Sequence, residues 1–137
     1  MMYAVVRIRG EINARQEVRD TLKMLNLPYI NNCTIVRDDK NYKGMLQKVK
    51  DYVTWGEISK ETLQKLLEKR GGLDSKKAEE AAEKISKGEA MLKDFTSRTI
   101  RLHPPIKGYR SIKKPYGMGG SLGYRGKDIN ELIERML

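Results

Sequence analysis

The chain of 137 residues has very little of what metal clusters, disulfides and catalytic relays are made from. Cys33 is its one cysteine and His103 its one histidine. A single cysteine excludes an intrachain disulfide, and the pair together falls short of the about four ligands a Cys/His zinc cluster needs. No apolar run approaches the ~20 residues required to span a bilayer. The start, MMYAVVRIRG, lacks the apolar stretch of a secretory signal. The expectation is a cytoplasmic chain in a reducing compartment, with no membrane contact. Its length suits one domain with an appendage, burying roughly two-thirds of the unfolded surface.

Negative charge is also scarce, and unevenly so. There are 28 Lys and Arg against 18 Asp and Glu, a net charge of +10. Residues 1–60 hold 11 basic and 7 acidic side chains, 61–94 hold 8 of each, and 95–137 hold 9 and 3. Between 95 and 127 there is no acid at all, against Arg98, Arg101, Lys107, Arg110, Lys113, Lys114, Arg125 and Lys127. A self-repelling block of this kind calls for a polyanionic partner.

Hydrophobic periodicity orders the rest. Residues 3–9 alternate, with Ala4, Val6 and Ile8 opposite Tyr3, Val5, Arg7 and Arg9, as in a half-buried strand closed by Gly10. Asn13 with Gln16 three residues on suits a helix start, and Ala14, Val18, Leu22 and Leu25 then predict a helix over 14–26, stopped by Pro28. Residues 31–37 read as a second strand, followed by a polar turn. Met45, Leu46 and Val49 give a helix over 42–52, and 53–58 can be extended around Trp55-Gly56. Ser59 caps a helix with Leu63, Leu66 and Leu67, closed by Gly71-Gly72. Residues 74–92 predict another, whose Ala78, Ala81, Ala82 and Ile85 face and balanced charges suggest a solvated helical hairpin. Residues 96–103 alternate as a late strand before Pro104-Pro105. Residues 106–127 are too rich in glycine and cations to bury a core alone, and 128–137 close with a short helix.

Catalytic constellations are weak. His103 has no evident nucleophile beside it, and a structural or RNA-facing role suits it better than general base. Glu79, Glu80 and Glu83 fit a solvated helix face. Cys33, on an apolar strand face, fits a small core residue. The glycines of GMGGSLGYRG match neither the dinucleotide pattern nor the Walker pattern, since Asp128 follows Gly126-Lys127 where Ser or Thr is needed. That segment instead offers a flexible backbone with Tyr109, Tyr116 and Tyr124 among its cations, suited to phosphates and unpaired bases. Arg15, Arg19 and Lys23 form a stripe at i, i+4 and i+8. Trp55 fits packing better than stacking on a base.

Four ordered blocks, VRIRG (6–10), TLKMLNLPYINNCTIV (21–36), YKGMLQKVKDYVTWGEI (42–58) and RLHPPIKGY (101–109), together resemble the large-subunit ribosomal protein thirty family in its archaeal form, whose eukaryotic relative is numbered seven. The resemblance spans almost the whole chain. It implies an α/β two-layer (α+β) fold, a small antiparallel β-α-β-α-β sheet related to the ferredoxin-like fold, with a helical insertion and a basic C-terminal extension. On this chain the parts are a core at 1–58, an insertion at 59–94, a late strand at 95–103, an extension at 104–127 and a terminal helix at 128–137. Two segments compete for the third core strand, 53–57 and 97–103, and the later is favoured.

The resemblance further implies a structural protein without catalytic residues, cofactor, metal or small-molecule substrate. Its implied partners are large-subunit rRNA near the 5S particle and neighbouring ribosomal proteins. Carried over by motif, RNA contacts fall on Arg7, Arg9, Asn31, Asn32 and Lys43 and on the later cations Arg101, Lys107, Arg110, Lys113, Lys114, Arg125 and Lys127; the residues themselves add His103, Tyr109, Tyr116 and the Arg15, Arg19, Lys23 stripe. Two readings of other classes compete: an RNA-processing enzyme using His103, and an adaptor acting off the ribosome whose helical hairpin keeps Leu63 and Leu67 exposed for a partner.

Overall fold

The structure is a computed structural model that describes residues 2–10, 15–27, 29–37, 39–70, 74–87, 100–103, 105, 111–118 and 120–137. Three strands form the core: β1 (Met2–Arg7), β2 (Asn32–Arg37) and β3 (Val53–Glu57). β1 lies between the other two and is antiparallel to both, with Val5 opposite Thr34 on one side and Trp55 on the other. Every residue of β1 is buried. The strand is therefore not half-buried as its alternation predicts, because both faces of the sheet are covered.

One face carries Tyr3, Val5, Val36, Val53 and Trp55, which pack with Leu22, Leu25, Leu27, Leu46 and Val49. These belong to, or directly follow, helices α1 (Gln16–Met24) and α2 (Lys40–Lys48), which together with the sheet make the two-layer core. α1 starts later than predicted, with Arg15 extended just before it. The Asn13 cap lies outside the described residues. α2 starts earlier than Tyr42, because the Asp39 carboxylate accepts the Tyr42 N–H at 2.9 Å and satisfies a free backbone donor of its first turn.

The opposite face carries Met2, Ala4, Val6, Cys33 and Ile35, packed against α3 (Lys60–Lys69), α4 (Ser75–Ser86) and α5 (Ile129–Met136). α3 is capped by Ser59 as expected, its hydroxyl accepting the Thr62 N–H at 3.2 Å; the Gly71-Gly72 closure lies outside the described residues. The expectation that 74–92 is a solvated hairpin is corrected by burial. Ala78, Ala81, Ala82 and Ile85 are fully enclosed with Leu63, Leu66 and Leu67, because an alanine face lets α4 lie close on α3. Asn130 holds α5 in place: its side-chain oxygen accepts the Ser59 N–H at 2.8 Å while its amide donates to the Glu57 carbonyl at 3.2 Å.

Three further strands make a mixed six-stranded sheet in the order β4-β2-β1-β3-β6-β5. The preference for 97–103 as third core strand is corrected here, since β3 occupies that place. Among the described residues the late segment gives a two-residue β4 (Ile100–Arg101) on the outer edge of β2; 97–99 lie outside them. β5 (Ser111–Pro115) and β6 (Gly120–Tyr124) extend the other edge, β6 running parallel to β3. A purely antiparallel sheet is therefore not observed, and part of the glycine-rich extension supplies strands. Contact with β3 stabilises a segment that could not bury a core by itself. Gly56 makes this junction possible: a β-carbon there would sit 1.9 Å from the Gly126 carbonyl oxygen.

Candidate nucleic-acid interface

The expected contacts divide into those that reach the surface and those the fold absorbs. Arg15 and Lys23 are exposed on α1 with Arg19 half-exposed between them, and a spacing of four residues sets successive cations about 6 Å apart along the axis. α2 and its flanks add exposed Lys40, Lys43, Lys48 and Lys50. Over these two helices and their caps, six cations face three acids. Two of those acids are engaged locally, Asp39 as the α2 cap and Asp20 accepting from the Gln16 amide at 2.8 Å.

The opposite helices α3, α4 and α5 with their caps carry nine charges of each sign. Pairs such as Lys65 with Glu134 at 3.1 Å and Lys87 with Glu83 at 2.9 Å neutralise them further. The hydrogen bond and charge of Lys87, with the charge of Lys60 behind them, hold the Glu83 carboxyl below its usual range. The charge excess of the described helices therefore sits on one face of the sheet, the face built from α1 and α2.

Arg9 joins that surface at the end of β1. It is half-exposed, its guanidinium lies 5.5 Å from the centre of the Tyr52 ring, and its backbone N–H donates to the Tyr52 carbonyl at 3.1 Å. Arg101 and His103 are exposed around β4, the His103 N–H donating to the Met136 carbonyl. Lys127 is exposed in the turn before α5.

Other candidates are corrected by burial. Arg7 is 2% exposed, with Nη1 donating to the Leu27 carbonyl at 2.8 Å and Nε to the Arg9 carbonyl at 3.0 Å. It ties the end of α1 to β1 and offers no surface to a nucleic acid. Asn32 is buried in β2, where it pairs with Arg101. Asn31, half-buried, adopts φ 68°, a left-handed conformation that asparagine tolerates. Its N–H donates to the Arg7 carbonyl and its carbonyl accepts from Leu102. The Asn-Asn pair is thus a turn signal.

Arg125 is buried as well. Nε donates to the Thr54 hydroxyl oxygen at 2.8 Å, Nη2 to the Ser121 carbonyl at 2.7 Å, and the guanidinium lies 4.7 Å from the Tyr116 ring centre. The Tyr116 hydroxyl donates in turn to Asp128. This cluster fastens β6 to β3. Lys113 and Lys114 lie in β5, and Lys107, Tyr109 and Arg110 lie outside the described residues.

The competing readings meet the same geometry. Leu63 and Leu67 are fully buried, so the hairpin has no exposed leucine face for an adaptor. Cys33 is enclosed in the core, where burial pushes its thiol up to about 12 and keeps it protonated. Sequence reasoning missed the exposed apolar residues Met24, Tyr29 and Ile30 around the α1–β2 connection. The short PYINN stretch between two regular elements was their available signal.

Comparison with known proteins places the chain in a family. The ribosomal protein L30p/L7e family matches residues 3–53, the stretch from β1 through both cationic helices. A large ribosomal subunit protein uL30 of Methanococcus maripaludis is 46% identical, with all of both chains covered. This chain belongs to the ribosomal protein L30p/L7e family. The uL30 proteins of Methanothrix thermoacetophila and Methanosphaera stadtmanae are 46% and 43% identical, covering 98% and 99% of this chain and 99% and 100% of their own. The relatives therefore match the L30p/L7e core together with the α3–α4 helices and the β5–β6 extension.

Proposed function

We propose that this chain is a structural constituent of the large ribosomal subunit, held on large-subunit rRNA by the α1–α2 face. The observation that carries the reading is the end-to-end similarity to archaeal uL30 proteins. The charge asymmetry between the two helical faces supports it and favours the α1–α2 side for the contact. As a ribosomal protein it works in the cytoplasm without turnover, a scaffold that sets cations at fixed positions. Arg9, Arg15, Arg19, Lys23 and Lys43 supply phosphate contacts, and Arg101, His103 and Lys127 extend the footprint around the sheet edges. Lys107, Tyr109, Arg110, Lys113 and Lys114 add to it from the extension. Neighbouring ribosomal proteins and the vicinity of 5S rRNA complete its surroundings, as the family resemblance implies.

Affinity on such a surface comes mainly from phosphate neutralisation and counterion release, with fit supplied by shape and 2′-hydroxyl contacts. The test is the salt dependence of binding to large-subunit rRNA. Replacing Arg15, Arg19 and Lys23 by Ala should flatten the log–log slope by about 0.7 to 0.9 for each phosphate that is no longer neutralised. An unchanged slope would remove α1 from the interface, and a wild-type affinity indifferent to salt would sink the reading itself.

A further inference from the structure

On the same sheet face, beyond the edge of α2, the structure opens a groove of about 330 Å³. Its floor is apolar, made by Trp55 and Leu122, both nearly buried. Tyr124 stands in it 51% exposed, beside the buried Tyr3 and Trp55. The ring is held firmly. Its hydroxyl donates to the Glu57 carboxylate, and its centre lies 6.4 Å from that of Tyr3, edge to face, and 6.3 Å from that of Trp55.

Lys50, Gln47 and Asp51 border this groove, and an adjoining lobe reaches Lys43. Gly117 and Gly123 form its far wall. A β-carbon at either position would meet nothing within 4 Å, so the width of the groove depends on side chains these residues lack.

A rigid, half-open aromatic ring over an apolar floor, with ammonium groups at the rim, is the arrangement that accepts an unpaired base and its flanking phosphates. We propose that this groove receives one nucleobase extruded from the bound RNA. The base stacks on Tyr124, Gln47 and Asp51 offer a donor and acceptors to its edge, and Lys43 and Lys50 meet the neighbouring phosphates. The inference rests on the rRNA reading above and adds to it a site for an unpaired nucleotide. A side chain of another protein is the alternative occupant, and charge decides against it: the groove opens on the helical face with the cation excess.

The experiment uses the full chain with protein-free archaeal large-subunit rRNA. Binding is measured over a salt series, and ultraviolet crosslinking followed by mass spectrometry locates the attached nucleotide. Trp55, the one tryptophan, reports occupancy through its fluorescence. A nucleotide is expected on the peptide carrying Tyr124. Tyr124→Ala should weaken binding about 10-fold without changing the salt slope, since stacking releases no counterion, whereas Tyr124→Phe should bind within about twofold of wild type because the ring face remains.

Gly117→Leu, whose β-carbon meets nothing within 4 Å and whose side chain takes up space on the groove wall, should weaken binding as Tyr124→Ala does. It guards against loss of folding in the alanine variant. If wild type binds rRNA but Gly117→Leu binds equally well, or the crosslinks fall only elsewhere, the groove is not a base site and the proposed function stands. If wild type does not bind rRNA, both fall.

Discussion

Arg125 separates the two roles that a cation in a basic segment can play. By sequence it is one of eight cations with no acid among them; in the fold it is 8% exposed. Arg125→Ala removes two charge-assisted hydrogen bonds, to Thr54 and Ser121. Each such bond contributes about 1.5–3 kcal/mol net of the water it replaces. It also removes an interaction with the Tyr116 ring worth about 1–2 kcal/mol when desolvated. Water entering the vacated space and relaxation of β6 recover part of this, leaving an expected destabilisation of about 2–4 kcal/mol.

Urea unfolding followed by circular dichroism measures that destabilisation as a shift in midpoint at unchanged slope. A fall of about 5–15 °C in melting temperature should accompany it. Arg125→Lys should recover less than half, because an ammonium group cannot reach both acceptors and lie over the ring as the planar fork does. The rRNA salt slope should not change. A variant with full stability and a slope reduced by about 0.7 or more would refute the argument, since it would place Arg125 on RNA and not in the β3–β6 junction.

Three other outcomes follow from the packing. Gly56→Ala should destabilise by about 3 kcal/mol or more, because its β-carbon meets backbone with no flexible side chain to yield; a melting temperature within a degree of wild type would disprove the close approach. Leu67→Ala should cost about 2–5 kcal/mol in chemical unfolding while leaving rRNA affinity of the folded protein intact, and an unchanged stability would show Leu67 exposed and reopen the adaptor reading of the α3–α4 hairpin. Cys33 should resist thiol reagents at neutral pH until the chain unfolds. Its folded pKa is raised from 9.0 to about 12, so its stabilising contribution is complete below pH 9. That contribution is lost between pH 9 and 12 by about 1.4 kcal/mol per unit at most. Cys33→Ala should lack this component, and identical alkaline profiles for the two proteins would contradict it.

Local chemistry was legible without the fold. Ser59, Leu63, Leu66 and Leu67 announce α3, and Ile129, Leu132, Ile133 and Met136 announce α5. The Arg15, Arg19, Lys23 stripe is readable too, because it depends only on neighbours within two helical turns. The four family blocks carried the fold class. What could not be read is which side chains remain outside. β1 looks amphipathic in sequence yet is buried on both faces, because helices from residues 16–48 cover one and helices from 60–136 the other.

The sequence by itself determined the helices, the anionic partner and the family, because periodicity, caps, charge and ordered motifs are properties of nearby residues. Only the tertiary structure decided that Arg7, Asn32 and Arg125 are internal, that 53–57 fills the third core position, and that Tyr124 stands in a groove. Those outcomes turn on pairings such as Arg125 with Thr54, 71 residues apart. Burial depends on which distant surfaces close over a group, and no local pattern encodes that.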